Sequence, residues 1–402
     1  MKILVVGAGP AGAFFAIQMR KMAPSAEIRI VERNPEGAAY GFGLALQAHV
    51  VPKLMKINPA LFERISAEFH IMQGQDIILG DTCVPIDRNM MLSAGAFKRT
   101  TLLQVLADYA KDCGLTIEYE TQIDPADGFD GYDLVVAADG GNSRIRDYHA
   151  DAFGTMKSEL ENRFAWYGSR APFSAPGLAF RKVGESVFVA HYYQHCANMS
   201  SFVAECDGAT WEKHGFGDLT DSERKAVFEE VFAPELGGEE LVESRSIWRR
   251  WPICENKHWV HENVVLIGDA RHAAHPTIGS GTRIAFDDGH ALATALTSVE
   301  GSLADKLRSF EEARRATVQK LASAMVNSYT WYEEVRQHME MHPLDFTHNF
   351  MTRTGRLNDD RLRAIAPEFM AAYEAHKAGA NGLGNQPQKR EFKNDKTKTN
   401  NR

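Results

Sequence analysis

The sequence predicts an α/β fold: a parallel sheet wound with helices, an antiparallel sheet inserted into it, and helices towards the C-terminal end. Three observations carry that prediction. Short unbroken apolar runs, Ile3–Val6 and Val264–Ile267 among them, stop at glycine as buried parallel strands do. Segments between about 160 and 206 are β-rich and set apart by turn residues. From about Leu303 to Met339 the apolar residues Phe310, Ala313, Val318, Leu321 and Met325 fall near one face of a helix.

Each element follows in order. Ile3–Val6 is broken by Gly7-Ala8-Gly9-Pro10-Ala11-Gly12, and Phe14 to Met22 has helix-compatible residues up to Pro24. Ile28–Val31 makes a second strand that ends at Glu32, which completes a right-handed βαβ unit. Leu102, Leu103, Leu106 and Tyr109 have helical spacing between Arg99 and Cys113, and Gly114 stops that helix. Leu115–Tyr119 alternates like a strand, and Asp133–Ala137 is a buried strand closing on Asp139-Gly140. Phe164–Tyr167, Ser186–Tyr193 and Met199–Cys206 read as the antiparallel sheet of a second layer, followed by a helix around Ser222–Phe232. Val264–Ile267 returns to the buried-strand style, ends in Gly268-Asp269, and leads into a helix-like run from Ile278. The tail from about Gly379 has almost no apolar residues and is expected to be disordered, its basic run Lys389–Arg402 being a solvated terminus.

Composition narrows the function class. The 402 residues carry 45 Lys and Arg against 53 Asp and Glu, a net charge of −8, which argues against a binder of nucleic-acid phosphates. Five scattered cysteines, at 83, 113, 196, 206 and 254, contain no Cys-x-x-Cys and point to reduced thiols in a cytoplasmic protein without a zinc site. No apolar run approaches the ~18–20 residues of a membrane span, and the first is cut at Gly7, too early for a signal peptide. A chain of this size is expected to act as a monomer or homodimer.

The strongest motif is Gly7-x-Gly9-x-x-Gly12, which follows a strand and opens a helix. Gly7 permits the tight turn, Gly9 lets backbone approach a pyrophosphate, and Gly12 lets helix and strand pack closely. Pro10 and Ala11 begin the helix whose N-terminal N–H groups favour an anion. Glu32, followed by Arg33, ends the second strand, where its carboxylate accepts hydrogen bonds from an adenosine ribose and disfavours a 2′-phosphate. The Rossmann-like unit therefore binds a dinucleotide. A second anion and polyol site is suggested by Gly268-Asp269 after a buried strand, with Gly279-Ser280-Gly281-Thr282 opening the next helix. An extended dinucleotide would span both, its pyrophosphate near Gly9 and a ribityl hydroxyl on Asp269. Asp139-Gly140-Gly141-Asn142-Ser143-Arg144-Ile145-Arg146 lies between them, also at a strand end.

Together these segments resemble a known family, the single-component FAD-dependent aromatic hydroxylases of the para-hydroxybenzoate hydroxylase class. The fingerprint at Gly7–Gly12, the Asp-Gly-x-x-Ser-x-x-Arg pattern at Asp139–Arg146 and the Gly-Asp-Ala-x-His-x-x-x-Pro-x-x-Gly-x-Gly pattern at Gly268–Gly281 occur in the family's order. The resemblance covers about residues 1–340. It implies that Asp269 binds the flavin ribityl chain and that Gly279 to Thr282 lie beside the isoalloxazine and pyrophosphate. Arg99 looks like the family's FAD-phosphate contact, a surface arginine at a helix start being its alternative. The Asp139 segment is associated with FAD and NAD(P)H, against a plain strand-end turn with Arg146 in an ion pair. Arg283 stands where the family often has Asn. That departure, with Trp166-Tyr167-Gly168, Ala190–Tyr193 and Ser201–Cys206, is similar to the salicylyl-CoA and 2-aminobenzoyl-CoA hydroxylases and the violacein-pathway tryptophan-core hydroxylase.

By that resemblance NADH or NADPH reduces FAD, O₂ adds to give a flavin C4a-hydroperoxide, and an electron-rich ring (phenolic, anilinic or indolic, free or as an aryl-CoA thioester) is hydroxylated. With one fingerprint, nicotinamide would bind transiently. Trp166, His191 and Tyr193 are expected pocket linings, His191 as a polar or acid–base contact; an aromatic sheet core with a satisfied histidine is the alternative. Pro276 is expected as a backbone wall near the flavin, His272 as a hydrogen-bonded framework residue, and Tyr40 and His49 as further candidates to face the flavin. The segments imply a discontinuous FAD-binding domain (1–155 and 258–300), a β-rich substrate domain (156–257), a helical region (301–378) and the tail (379–402). Three rivals stand beside this reading. A flavin-dependent halogenase would show Trp-x-Trp-x-Ile-Pro, whereas this chain has Trp248-Arg249-Arg250-Trp251-Pro252-Ile253. A pyridine-nucleotide dehydrogenase would leave the Gly268 segment unexplained. A non-enzymatic flavin-binding module would show no substrate-stimulated NAD(P)H oxidation.

Overall fold

The structure is a computed structural model that describes residues 1–39, 41–47, 50–86, 94–243 and 247–379. Tyr40, His49 and the tail beyond Gly379 lie outside the described residues.

Strand Lys2–Val6 lies at the heart of a six-stranded sheet, paired in parallel with Glu27–Val31 on one side and Leu134–Ala137 on the other. Val264–Leu266 adds in parallel beside Leu134–Ala137, with the short antiparallel Val260–His261 at that edge and Ile117–Glu118 at the far one. The strand predicted at Leu115–Tyr119 is thus only two residues long, because it meets nothing beyond Ile30 and Val31. Both faces of the sheet are covered. Ile3 and Val5 pack with helices Pro10–Met22, Arg99–Asp112 and Gly281–Ser298, while Leu4 and Val6 pack with Ile145, Phe153 and Leu266. This double burial is why the run reads as continuously apolar. An edge-to-face triangle of Phe14, Phe62 and Phe286, with centroids 5.0–5.8 Å apart, fastens the two glycine-opened helices together.

The second sheet has eight strands and is built around Thr155–Ser169, Met199–Cys206, Ser186–Cys196 and Gly177–Val183. It is not confined to residues 156–257. Gln75–Leu79 joins it in parallel beside Gly177–Val183 and carries Thr82–Ile86 at the edge. Period-2 alternation divides its two faces. Tyr167, Phe188, Tyr192 and Phe202 pack under helix Asp221–Val231, whereas Leu178, Phe180 and Val189 pack against Trp331, Tyr332, Phe346 and Phe350 of the C-terminal helices. The long helix Leu303–Glu333 opens on a Ser302–Asp305 capping box and runs back across the molecule. A three-stranded sheet of Gly43–Gln47, Ala94–Lys98 and His70–Met72 completes the sheet content. No helix among the described residues is long and apolar enough to cross a membrane.

Candidate active site

Close backbone approach brings the three glycine-bearing segments to one place. Gly7 has φ +102°, and a Cβ on it would lie 2.3 Å from the Ala138 carbonyl oxygen; one on Gly12 would lie 2.0 Å from the Gly7 oxygen. The first and third glycines of the motif, Gly7 and Gly12, are therefore fixed by turn and packing. A Cβ on Gly9 would meet nothing within 4 Å, so its backbone faces an open cradle. Gly268 packs on Ala11 and Gly289 on the Ala11 carbonyl and Phe15 amide, which sets the helix Gly281–Ser298 against the fingerprint helix. Arg146 ties the remaining segment in, donating to the Ala270 and Gly141 carbonyls at 3.2 and 2.8 Å.

Both glycine-opened helices present bare N-termini. The helix at Pro10 has Gly9 as its N-cap, and the helix at Gly281 has Ser280; neither N-cap makes a side-chain capping bond, and neither first turn holds an acid. Ser280 instead donates back to the Ile278 carbonyl, and Gly279 turns the chain at φ +56°. Unspent N–H groups with no competing carboxylate are what an anionic or electron-rich oxygen ligand requires. Thr282 is half-buried in the second of these turns.

Asp269 carries the other half of the fit. It lies deep in the protein, where desolvation pushes its carboxyl pKa up against the pull of Arg99 and Arg271, yet its side chain is open to solvent. A group both deep and accessible lines a cleft. Its oxygens accept no hydrogen bond from another described residue, which suits a polyol chain. Glu32 is held by the Ala8 amide at 3.0 Å and by the Asn34 amide and side chain at 2.9 and 2.7 Å. These bonds leave acceptor capacity for a ribose hydroxyl, while Arg33 is exposed. Arg99 does begin a helix at the surface, as one reading allowed, but its charge reaches both Asp269 and Tyr193, so it overlooks the cleft. The residues present fit FAD.

At Asp139 the plain turn is part of the picture. Its Oδ2 takes the Arg144 and Ile145 amides at 2.9 and 3.4 Å, and Arg146 pairs with Asp147 at 2.9 Å. Its Oδ1 is buried without a partner, and desolvation raises its pKa.

Arg99 links this cluster to the second sheet through Tyr193. Trp166 pairs with Val203 and Val203 with His191, and Tyr193 follows two residues on, so Trp166, His191 and Tyr193 share one face. All three are half-buried. Tyr193 donates to the Gly43 carbonyl at 2.9 Å. His191 has its pKa lowered to about 4 by burial and by the charge of Arg353, so it is neutral at physiological pH. The turn at His275–Ile278 meets this face: His275, its pKa lowered to about 3 by burial and Arg353, lies 5.3 Å from the Trp251 ring, and Trp251 lies 6.4 Å from Trp166. His275 caps the turn Pro276–Ile278, and Pro276 is half-buried at its start. His272 Nδ1 donates to the Cys254 carbonyl at 3.3 Å, a framework contact.

Several residues of the site escaped the sequence reading. Asp288 is fully buried and holds the Gly268 amide at 3.0 Å, Arg271 at 2.9 Å and Arg314 at 2.7 Å. Its signal was present: it stands four residues from both Ile284 and Leu292, an acid on an apolar stripe. Arg353 and Tyr332 come from the C-terminal helices, and no local pattern marks them. Glu205 lies on the pocket face, diagonal to Trp166 and His191, where its carboxylate accepts from Asn162 at 2.8 Å. Burial, reinforced by Glu333, raises its pKa to about 7. An acid raised in the folded state costs stability as pH climbs from its ordinary value to the raised one. Glu205→Gln is therefore expected to raise the melting temperature at pH 8, with the gain shrinking between pH 7 and 4.5. A gain that does not change with pH would refute that assignment.

Comparison with known proteins agrees with this geometry. A family model for an FAD binding domain matches residues 132–325. The chain is 31% identical to salicyloyl-CoA 5-hydroxylase of a Streptomyces species over 88% of this chain and 70% of that protein. It is 37% identical to 3-hydroxy-4-methyl-anthranilyl-[aryl-carrier protein] 5-monooxygenase of Streptosporangium sibiricum, over 83% and 89% of the two chains. Protodeoxyviolaceinate monooxygenase of Chromobacterium violaceum is 31% identical over 88% and 94%. These relatives bear out the resemblance and leave the halogenase and dehydrogenase readings without support; FAD is the cofactor, with NADH or NADPH as co-substrate. The chain belongs to the FAD-dependent aromatic monooxygenases.

Proposed function

We propose that the chain hydroxylates an electron-rich aromatic ring seated between the Trp166–His191 face and the Pro276 turn, the ring being phenolic, anilinic or indolic and free or joined as a thioester to CoA or a carrier protein. The observation that carries this reading is that the two halves meet: the charge of Arg99 reaches both Asp269 and Tyr193, and Trp251 bridges the His275 turn to Trp166. Asp269 and two bare helix N-termini would line one side of the site, and the aromatic sheet face with neutral His191 the other. The carrier is suggested by two of the relatives, whose names specify an acyl-CoA and an aryl-carrier protein.

Gly9, Ala11 and the first turn at Gly281 to Thr282 would hold the FAD phosphates and ring edge, Glu32 the ribose, Asp269 the ribityl chain and Arg99 the phosphates. Bound FAD supplies the redox chemistry, accepting reducing equivalents from NAD(P)H and activating O₂. The protein orients and shelters. Trp166 and Pro276 would form apolar walls that exclude water, and neutral His191 would offer a ring nitrogen as hydrogen-bond acceptor to the O–H or N–H of the substrate, orienting the ring. Residues 1–155 and 258–300 form the cofactor unit in this reading, with Gln75–Ile86 lending its strands to the ring-binding sheet of 156–257. Five free cysteines suit a reducing, cytoplasmic setting, and the chain would act there as a monomer or homodimer.

The test is a panel of phenolic, indolic and aryl-CoA compounds. The purified protein is expected to retain FAD, to oxidise NAD(P)H faster with one class of compound, and to add the mass of one oxygen atom to it. Flavin-loaded protein that no aromatic compound stimulates would refute the hydroxylase reading.

A further inference from the structure

The fold pairs its buried guanidinium groups with care. Arg271 and Arg314 share Asp288, Arg146 pairs with Asp147, and Arg181 pairs with Glu235 at 2.7 Å. Arg353 breaks this rule. It follows the C-terminal helix Pro343–Thr352 and reaches into the interior, where Nε donates to Ser328 Oγ at 3.1 Å, Nη1 to the Phe350 carbonyl at 2.7 Å and Nη2 to the Thr277 carbonyl at 3.1 Å. Its plane lies 3.8 Å from the centroid of the Phe350 ring. Every one of these partners is neutral, and no carboxylate pairs with Arg353 among the described residues. Of five guanidinium N–H groups, three are used.

A desolvated cation without an anion is costly, and folds keep one where a ligand brings the missing charge. The surroundings say which ligand. Thr277 O, which Arg353 holds, is one residue from the Pro276 wall. His191 from the sheet and His275 from the turn both feel its charge, as does Tyr332 from the long helix. Tyr332 is 4% exposed, its ring 5.7 Å from the guanidinium, and its hydroxyl bonds to no described residue. The other nearby titratable group, Glu205, lies beyond Tyr332 and is engaged by Asn162. Arg353 is itself half-exposed although surrounded by protein, as the wall of a cleft is.

We propose that Arg353, with the Tyr332 hydroxyl and the His191 ring, forms a subsite for an anionic oxygen on the aromatic substrate, a carboxylate or a phenolate. The inference rests on the hydroxylase reading above and adds the polarity of its substrate: the charged oxygen points to the C-terminal helices, and the ring lies over the sheet. Arg353 also completes a hydrogen-bond chain, His275 to Thr277 at 2.8 Å, Thr277 to Ser328 at 2.9 Å and Ser328 to Arg353, which couples the subsite to the flavin-side turn.

The experiment measures dissociation constants of benzoate, benzamide and 4-nitrophenol from the change in flavin absorbance of the FAD-loaded protein. Arg353→Gln, Arg353→Lys and Tyr332→Phe are compared with the wild type. If the oxygen is a carboxylate, benzoate binds about tenfold or more tighter than benzamide, the preference vanishes in Arg353→Gln and survives in part in Arg353→Lys. If it is a phenolate, bound 4-nitrophenol ionises at lower pH than the free compound, and Arg353→Gln abolishes that shift. A merely structural role for Arg353 lowers the affinities of benzoate and benzamide together and overturns the proposal. So does a wild-type protein that binds aromatic ligands with no preference for anions, although the hydroxylase reading then stands. If no aromatic ligand perturbs the flavin, both fall.

Discussion

Asp288→Asn is expected to destabilise the protein by about 3–5 kcal/mol, because it leaves Arg271 and Arg314 charged, buried and unpaired. Arg271 is 2% and Arg314 6% exposed, and Asp288 sits between them with no access to water. Arg271 has a secondary contact, its guanidinium 4.4 Å from the Trp259 ring centroid, but a cation–π contact of ~1–2 kcal/mol does not replace a carboxylate. The loss extends to the cofactor. Asp288 Oδ2 also accepts the Gly268 amide, so its removal frees the turn that aims Asp269. Thermal denaturation with and without added FAD reads both effects: a fall of at least about 5 °C in the flavin-free protein, and a smaller upward shift on adding FAD. An unchanged melting temperature would mean that the triad is not a keystone of the fold.

Asp269→Ala is expected to weaken FAD binding about 10- to 100-fold while leaving the fold intact. A hydrogen bond to a charged group contributes about 1.5–3 kcal/mol, and a carboxylate facing a polyol makes one or two. The fold is spared because the side chain bonds to no described residue and burial already holds its pKa up; its removal relieves desolvation and forfeits nothing internal. Quenching of flavin fluorescence during titration of the apoprotein gives the constant, and Asp269→Asn should retain part of the affinity. Equal affinity in the wild type and Asp269→Ala would withdraw Asp269 from the ribityl site.

Much of the cofactor half was legible because its physics is local. Two faces of burial write the strand Lys2–Val6 as an unbroken apolar run, and tight approaches at Gly7 and Gly12 demand glycine at fixed offsets. The ring-binding half was legible in part. Alternation along Ser186–Cys196 places His191 and Tyr193 on one face, but it does not say which face meets the turn at His275. That depends on Pro276, Trp251 and the C-terminal helices, all distant in sequence. The hairpin Gln75–Ile86 was missed for a similar reason, since it enters the second sheet by a parallel pairing with Gly177–Val183 that no nearby residue announces. Arg353 is the extreme case: among the described residues no carboxylate pairs with it, and a missing partner leaves no trace in sequence.

The late arrival of Val264–Leu266 has a consequence for how the chain is made. That strand docks in parallel on Leu134–Ala137, across the whole length of the inserted sheet. A nascent chain therefore holds the far edge of Leu134–Ala137 open until the second sheet has been synthesised, and covers one face of that sheet still later, when Pro343–Thr352 packs on it. Such non-local pairing is slow, and it exposes an apolar strand edge in the interval.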